Sequence, residues 1–168
     1  TVAFDIRDED AVKAGVATLV GKHGAVHALV NNAGGQFPSP LMMISKRGFD
    51  AVVANNLTGG FLMMRELFAQ SMQKHGGAIV NMTADFRNGM PGMGHSGAAR
   101  AGTANLTQTA AFEWAHAGVR VNAVAPGFVA TRIFGDGAGL GRDQAQALAE
   151  QALARGRAPN PLGHTGQP

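Results

Sequence analysis

The chain has 168 residues, 45% apolar and 15% charged, with a formal net charge of +3. That fits one ordinary domain and excludes a disordered chain, and the 24 glycines follow no collagen-like period. No apolar run nears the ~20 residues that span a bilayer, the arginines are too scattered for a nucleic-acid surface, and the count of cysteines and of tyrosines is 0.

Without cysteine there is no disulfide, thiolate metal site or Cys nucleophile, which suits a reducing cytoplasm. Thr1-Val2-Ala3-Phe4-Asp5-Ile6 reads as an apolar strand entered without a turn. From Asp8 to Lys22, Val12, Val16, Leu19 and Val20 share one helical face, and Asp8, Glu9 and Asp10 favour the dipole of its first turn. Residues 26–30 predict a short buried strand running into Asn31-Asn32-Ala33-Gly34-Gly35, and a loop with Pro38 and Pro40 follows. Phe49, Val52, Val53, Leu57, Phe61, Met64, Phe68 and Met72 then recur at helical spacing to about His75. Each glycine of Gly59-Gly60 costs about 1 kcal/mol against Ala in that helix, which predicts a close contact or a kink. The methionines of this run read as core packing.

Residues 78–82 predict the next strand, 83–95 a Gly- and Met-rich loop, and 96–117 a helix with Leu106, Ala110, Trp114 and Ala117 on one face. Residues 119–125 predict a strand closed by Pro126-Gly127, and a weaker helix is expected from about 143 to 155. This alternation predicts an α/β protein, a doubly wound parallel sheet with helices on both faces. The strand-like opening and the polar Pro/Gly close over 159–168 predict a fragment of a longer chain.

In such a sheet ligands lie beyond the carboxyl ends of the strands, here Asp5, 31–35, 81–84 and 126–131. Asn-Ala-Gly alone fits a tight turn as readily as a ligand site. Four compatible strand ends together point to a nucleotide crevice.

Val30-Asn31-Asn32-Ala33-Gly34 resembles the NNAG signature of the short-chain dehydrogenases/reductases. Asn56-Leu57-Thr58-Gly59-Gly60-Phe61 resembles their N-L-x-G-x-F helix, residues 119–127 their V-R-V-N-x-[VI]-x-P-G strand, and residues 161–168 their P-L-G-R-x-G-x-P segment. The resemblance covers essentially the whole chain. It implies a Rossmann-like fold, with residues 1–168 a single partial NAD(P)-binding domain lacking the first βα unit and the final strand. NADP or NAD is the implied cofactor. Asp5 and Ile6 then contact adenine, Asn32, Ala33, Gly34, Pro126 and Gly127 line the cofactor, and Thr131 lies near its carboxamide. The family's Gly-rich phosphate loop, whose amides hold the pyrophosphate, is not in this sequence, so weak dinucleotide binding is expected of these residues alone. The two longest helices are expected to pair subunits into a homodimer or homotetramer.

The family's catalytic pair, Y-x-x-x-K, sets two side chains one helical turn apart. The resemblance puts Ser96 on the Tyr position and Arg100 on the Lys position. Arg100 keeps the charge and suits ribose hydroxyls or an oxyanion, but gives up no proton at neutral pH. Ser96 is a poor acid alone and fits a helix N-cap equally well. Residues 94–102 resemble the branch holding 2-enoyl- and 2,4-dienoyl-CoA reductases and citronellol-type dehydrogenases. Members of that branch can carry Tyr or Asp where this chain has Ala104, and a second Lys where it has Gln108. The family serine after the fourth strand falls on Thr83 or Ala84. Asn56, in the family role, holds a water that relays protons; otherwise it is a polar break in a buried helix. His95 is a candidate proton donor near neutral pH or a loop histidine that packs, and Asp85 a candidate donor or a turn residue. The histidines at 23, 27, 75, 116 and 164 show no metal-ligand spacing, so no metal is expected.

The expected function is an NAD(P)(H)-dependent oxidoreductase, in lipid metabolism and in the cytoplasm, acting on a small molecule: an acyl-CoA, aldehyde, ketone or alcohol. Enoyl-CoA reduction suits these residues better than carbonyl reduction, because an enolate needs its oxyanion stabilised and then takes a proton from water. The alternative is a catalytically inactive family member serving as a nucleotide-binding or partner subunit. No membrane or nucleic-acid partner is expected.

Overall fold

The computed structural model describes residues 1–127 without a break and, after them, positions 129, 141, 143, 144, 147, 150 and 151. Helix α1 (Glu9–His23) starts where Asp8 accepts the Ala11 N–H at 3.1 Å, and it stops at Gly24, whose φ of 78° few other residues tolerate. Strand β1 (Ala28–Asn31) follows. A long helix, α2, then spans residues 46–75, capped by the Ser45 hydroxyl accepting from the Gly48 N–H at 3.1 Å. It starts three residues before its first large apolar side chain, Phe49.

Helix α2 is not a uniform α-helix. It includes two π turns, Ala54–Thr58 and Phe68–Met72, where the N–H of Gly59 reaches Ala54 O and that of Gln73 reaches Phe68 O, five residues back. Strand β2 (Gly77–Met82), helix α3 (Gly94–Glu113), a 3-10 turn (Ala115–Ala117) and strand β3 (Val119–Val124) complete the described elements. Ser96 therefore does not cap α3. The helix begins two residues earlier, after Met93, which gives no side-chain cap.

The strands are parallel in the order β1-β2-β3, with Leu29 beside Ile79 beside Val121 and Asn31 beside Asn81 beside Ala123. Right-handed crossovers that all step in one direction bring their helices out on one face of the sheet. Leu29, Ile79, Val119 and Val121 pack there against Met64 and Met72 of α2 and Ala110 of α3. Phe68 stacks on Trp114 at 4.4 Å and ties the two helices together. A second cluster joins Val12 and Val16 of α1 to Leu62 and Leu67 of α2. The alternate strand residues, among them Val30 at 64% exposure, Arg120 and Asn122, line a face that no described helix covers. Helices on both faces are thus not found among the described residues, because the strand order there never reverses. The helix expected at 143–155 lies outside the described residues except at scattered positions.

Residues 1–6 depart from the expected strand. They are extended but join no ladder, and Phe4 and Ile6 pack instead onto the Val12, Val16, Leu62 and Leu67 cluster. Alternating apolar residues report which side chains are buried; they do not report whether a backbone partner lies alongside.

Ile79 is fully buried at the centre of the sheet's packed face. Ile79→Ala is expected to destabilise the fold by about 2–5 kcal/mol, read as a lower urea midpoint at unchanged slope.

Candidate active site

The carboxyl ends of the three strands open on one edge, into residues 32–35, 83–93 and 125–127. The first π turn of α2 presents Asn56 to this edge, almost wholly buried at 4% exposure. Its Nδ2 donates to Gly35 O at 2.7 Å, and its Oδ1 accepts the Gly35 N–H at 3.1 Å. A side-chain amide and a peptide group satisfy each other reciprocally in this way. The same Oδ1 accepts from Arg100 Nη2 at 3.0 Å, and Arg100 Nη1 donates to Met82 O at 2.6 Å. Three elements therefore meet on two side chains: the end of β1, the end of β2 and the second turn of α3.

Arg100 is half-buried and makes no ion pair among the described residues. Burial pushes its pKa below the ordinary arginine value, in the direction desolvation of a cation dictates. With a guanidinium's intrinsic pKa so high, it stays charged. Two of its five N–H groups are engaged here, leaving the others for an oxygen-bearing ligand.

Gly34 is what lets the β1 loop come this close. A Cβ there would lie 2.3 Å from Asn56 Oδ1 and 2.9 Å from Arg100 Nη2. Below the pair, Asn31 Nδ2 donates to Asn81 Oδ1 at 2.8 Å across the sheet, and Asn81 Nδ2 donates to Thr107 Oγ1 at 2.9 Å. A narrow crevice of about 10 Å³ runs between Asn31, Asn56, Met82, Arg100 and Leu106, room for a single water molecule.

Ser96 sits one turn before Arg100, buried, with its Oγ 3.4 Å from Gln36 Oε1. His95 is fully buried, on the helix and not in a loop, and its Nδ1 accepts the Ser96 N–H at 2.9 Å. Its ring meets Phe37 edge-on, with centroids 4.6 Å apart.

The remaining candidates lie further from this centre. Thr83 is buried, and its N–H and hydroxyl both donate to Val124 O, at 2.8 and 3.0 Å, tying the end of β2 to β3. Asp85 is exposed in the following loop. Asp5 is clasped by Arg7, with contacts of 2.9 and 2.5 Å. Hydrogen bonds from Arg7 hold its carboxyl at about 2, well below the ordinary aspartate value of 3.8. Ile6 packs against Gly59, where a Cβ would come within 2.8 Å of it. Asn32, Ala33 and Gly34 are exposed at the strand end, as is Gly127, and Pro126 is half-buried. Thr131 lies outside the described residues. Among the described residues no group of three or more His, Asp or Glu is gathered as metal ligands.

Gln36, Phe37 and Thr103 escaped the reading of the sequence. Thr103 Oγ1 donates to Asn56 O at 3.1 Å and to Ala99 O at 3.0 Å. Its signal was weak but present: it follows Arg100 by three residues and so shares that helix face.

Residues 1–165 match the sequence profile of the family described as Enoyl-(Acyl carrier protein) reductase. The chain belongs to the short-chain dehydrogenase/reductase family. The 3-oxoacyl-[acyl-carrier-protein] reductase FabG of Staphylococcus epidermidis is 39% identical over 129 residues, 76% of this chain and 53% of the relative. The chain thus spans about half the length of that curated relative. Among solved structures, the citronellol catabolism dehydrogenase AtuB of Pseudomonas aeruginosa PAO1 is 50% identical with a TM-score of 0.74, covering 99% of this chain and 70% of that one. ElxO, solved with NADP bound, is 28% identical with a TM-score of 0.84, covering 98% of this chain and 64% of that one. The α/β fold with its parallel sheet is the family's Rossmann-like fold, and the family is one of NAD(P)-dependent oxidoreductases.

Since a Cβ at Gly34 overlaps both side chains of the central pair, Gly34→Ala is expected to separate Asn56 from Arg100. Overpacking of this kind destabilises by about 1–3 kcal/mol. A melting curve and a crystal structure of the variant check the two effects separately.

Proposed function

We propose that the full protein is an NAD(P)(H)-dependent reductase whose substrate is an enoyl thioester, and that residues 1–168 form part of its dinucleotide-binding domain. The observation that carries this reading is Arg100, a half-buried cation without a carboxylate partner among the described residues, fixed by Asn56 Oδ1 and Met82 O at the carboxyl edge of the sheet. The ElxO structure with NADP bound supports the cofactor, and the matched family's description supports the enoyl substrate.

The residues present fit a dinucleotide at this edge. Gly34, which a Cβ would close off, and the exposed Asn32 and Ala33 leave backbone open to a flat ligand. Asn32, Ala33, Gly34, Pro126 and Gly127 would hold the cofactor, with Asp5 and Ile6 toward adenine, Thr131 toward the carboxamide, and Arg100 on ribose hydroxyls. When bound, the reduced cofactor supplies a hydride.

Hydride arrival at the β-carbon of an enoyl thioester drives the π electrons onto the thioester oxygen. The unengaged N–H groups of Arg100 stabilise the enolate that forms, and they are worth most in a site that excludes water. The α-carbon then takes its proton from water, for which the crevice beside Asn56 has room. A carbonyl substrate instead gives an alkoxide that needs a prompt acid, and neither Arg100 nor Ser96, whose Oγ faces Gln36, is one. The kinship with FabG favours carbonyl reduction as the second reading.

We further propose a cytoplasmic homodimer or homotetramer built on α2 and α3. Phe112 on α3 is 86% exposed, and Phe49 and Phe61 on α2 are partly so; apolar surface of this size marks interaction sites. Sedimentation of the full-length protein at micromolar concentration is expected to show no monomer.

Arg100→Met in the full-length protein is expected to lower NADPH-dependent reduction of trans-2-hexenoyl-CoA by roughly 100-fold or more, the scale of losing a preorganised oxyanion donor. Arg100→Lys restores the point charge without the planar fork and recovers part of the rate. Rates and melting temperatures on one preparation separate this from a purely structural arginine. Faster turnover of acetoacetyl-CoA favours the carbonyl reading, and NADPH binding without turnover of either substrate marks an inactive family member.

A further inference from the structure

The described polar side chains of the interior are satisfied with one exception. His95 Nε2 is buried and has no hydrogen-bond partner. Such orphans are rare in folded proteins, and each calls for a physical reason.

The first turn of α3 fixes which ring nitrogen carries the proton. The opening N–H groups of a helix lack intrahelical partners, and Met93 offers no side-chain cap. His95 Nδ1 takes that role by accepting the Ser96 N–H at 2.9 Å. A nitrogen that accepts a hydrogen bond bears no proton, so the neutral ring carries its hydrogen on Nε2. The orphan is therefore a donor, and the helix terminus holds it in that tautomer. Its ring lies edge-on to Phe37, a neighbour that offers at most a weak π acceptor.

The location of this donor follows from the β1 loop. Gly35, Gln36 and Phe37 are consecutive, and they touch Asn56, Ser96 and His95 respectively. Consecutive Cα atoms lie about 3.8 Å apart, so His95 stands in line with the centre that holds Arg100. What covers it is Phe37, itself 38% exposed, and an exposed ring changes rotamer within nanoseconds.

We propose that His95 is a substrate-binding residue whose Nε2–H donates a hydrogen bond to the reacting carbonyl oxygen of the substrate, with Phe37 turning aside to admit it. The donor supplies what Ser96 and Arg100 do not: a neutral hydrogen-bond donor beside the cation, in the part of the site where the family keeps its tyrosine hydroxyl. No bond to hydrogen breaks in this role. The inference rests on the reductase reading above for the identity of the ligand, and on the orphaned Nε2 for the contact.

Two measurements on the full-length protein test it. In the first, His95→Leu is expected to lower kcat/KM for trans-2-hexenoyl-CoA by about 100-fold, while His95→Gln, which returns an N–H at similar reach, recovers part of the loss and leaves the KM for NADPH unchanged. A fall in melting temperature for both variants, with kcat/KM per folded molecule intact, shows a purely structural histidine and overturns the proposal. The second uses 15N-histidine NMR and needs no turnover. The free protein is expected to show His95 protonated on Nε2, and saturating hexanoyl-CoA is expected to shift that signal. The opposite tautomer, or a signal unmoved by bound hexanoyl-CoA, overturns the proposal. A shift in a protein that turns over no enoyl thioester sinks the reductase reading and upholds the contact. Failure of hexanoyl-CoA to bind overturns both.

Discussion

The reciprocal bond between the Asn56 side chain and the Gly35 peptide group organises the site. It fastens α2 to the loop leaving β1, so that the helix and the strand end keep one distance whatever lies in the crevice. It also orients the amide, because the edge that faces Gly35 fixes Oδ1, and Oδ1 is what Arg100 binds. The second anchor of Arg100, on Met82 O, sets it against the end of β2. A chain of four hydrogen bonds thus spans three elements of the fold, and each is made by a group with few alternatives in a buried setting.

The chemistry open to such a centre is narrower than that of a hydroxyl-and-ammonium pair. A guanidinium attracts negative charge and holds planar oxygen groups, but it does not cycle a proton at neutral pH. Reactions whose negative charge spreads over a conjugated oxygen match it, and reactions that build a localised alkoxide match it less well. The Ser96 hydroxyl changes this little, since it sits against Gln36 within the wall of the site.

The periodic elements were legible because each side-chain pattern has one period and one burial face: α1, the two long helices and the strands at 28–31, 77–82 and 119–124 all lie where the pattern indicates, within two or three residues. Asn56, Gly34 and Arg100 could be picked out because they belong to short motifs. The failures have physical reasons. Residues 1–6 are apolar on alternate positions for the sake of helices α1 and α2, which imitates a strand. Ser96 has the composition of a cap, yet the neighbouring imidazole does the capping, and no propensity scale contains that contact. Gln36 and Phe37 meet their partners across about 60 residues of chain, a distance at which no local pattern operates.

The two π turns of α2 give it an unusual sensitivity to length. Each inserts one residue beyond the α-helical count, and one residue is about 100° of rotation. Met64 and Leu67 reach the core, and Arg65 reaches Glu9 at 2.6 Å, only because the helix after Thr58 has been turned by the first of these insertions. Deleting a single residue between 54 and 58 would let the segment relax to an ordinary α-helix and swing all that follows by a quarter turn, up to the second insertion. Apolar side chains would then face water and polar ones the sheet. Substitutions at most positions of this helix change one contact, but a one-residue deletion rewrites an entire face, so reading frame and phase are under a tighter constraint here than residue identity.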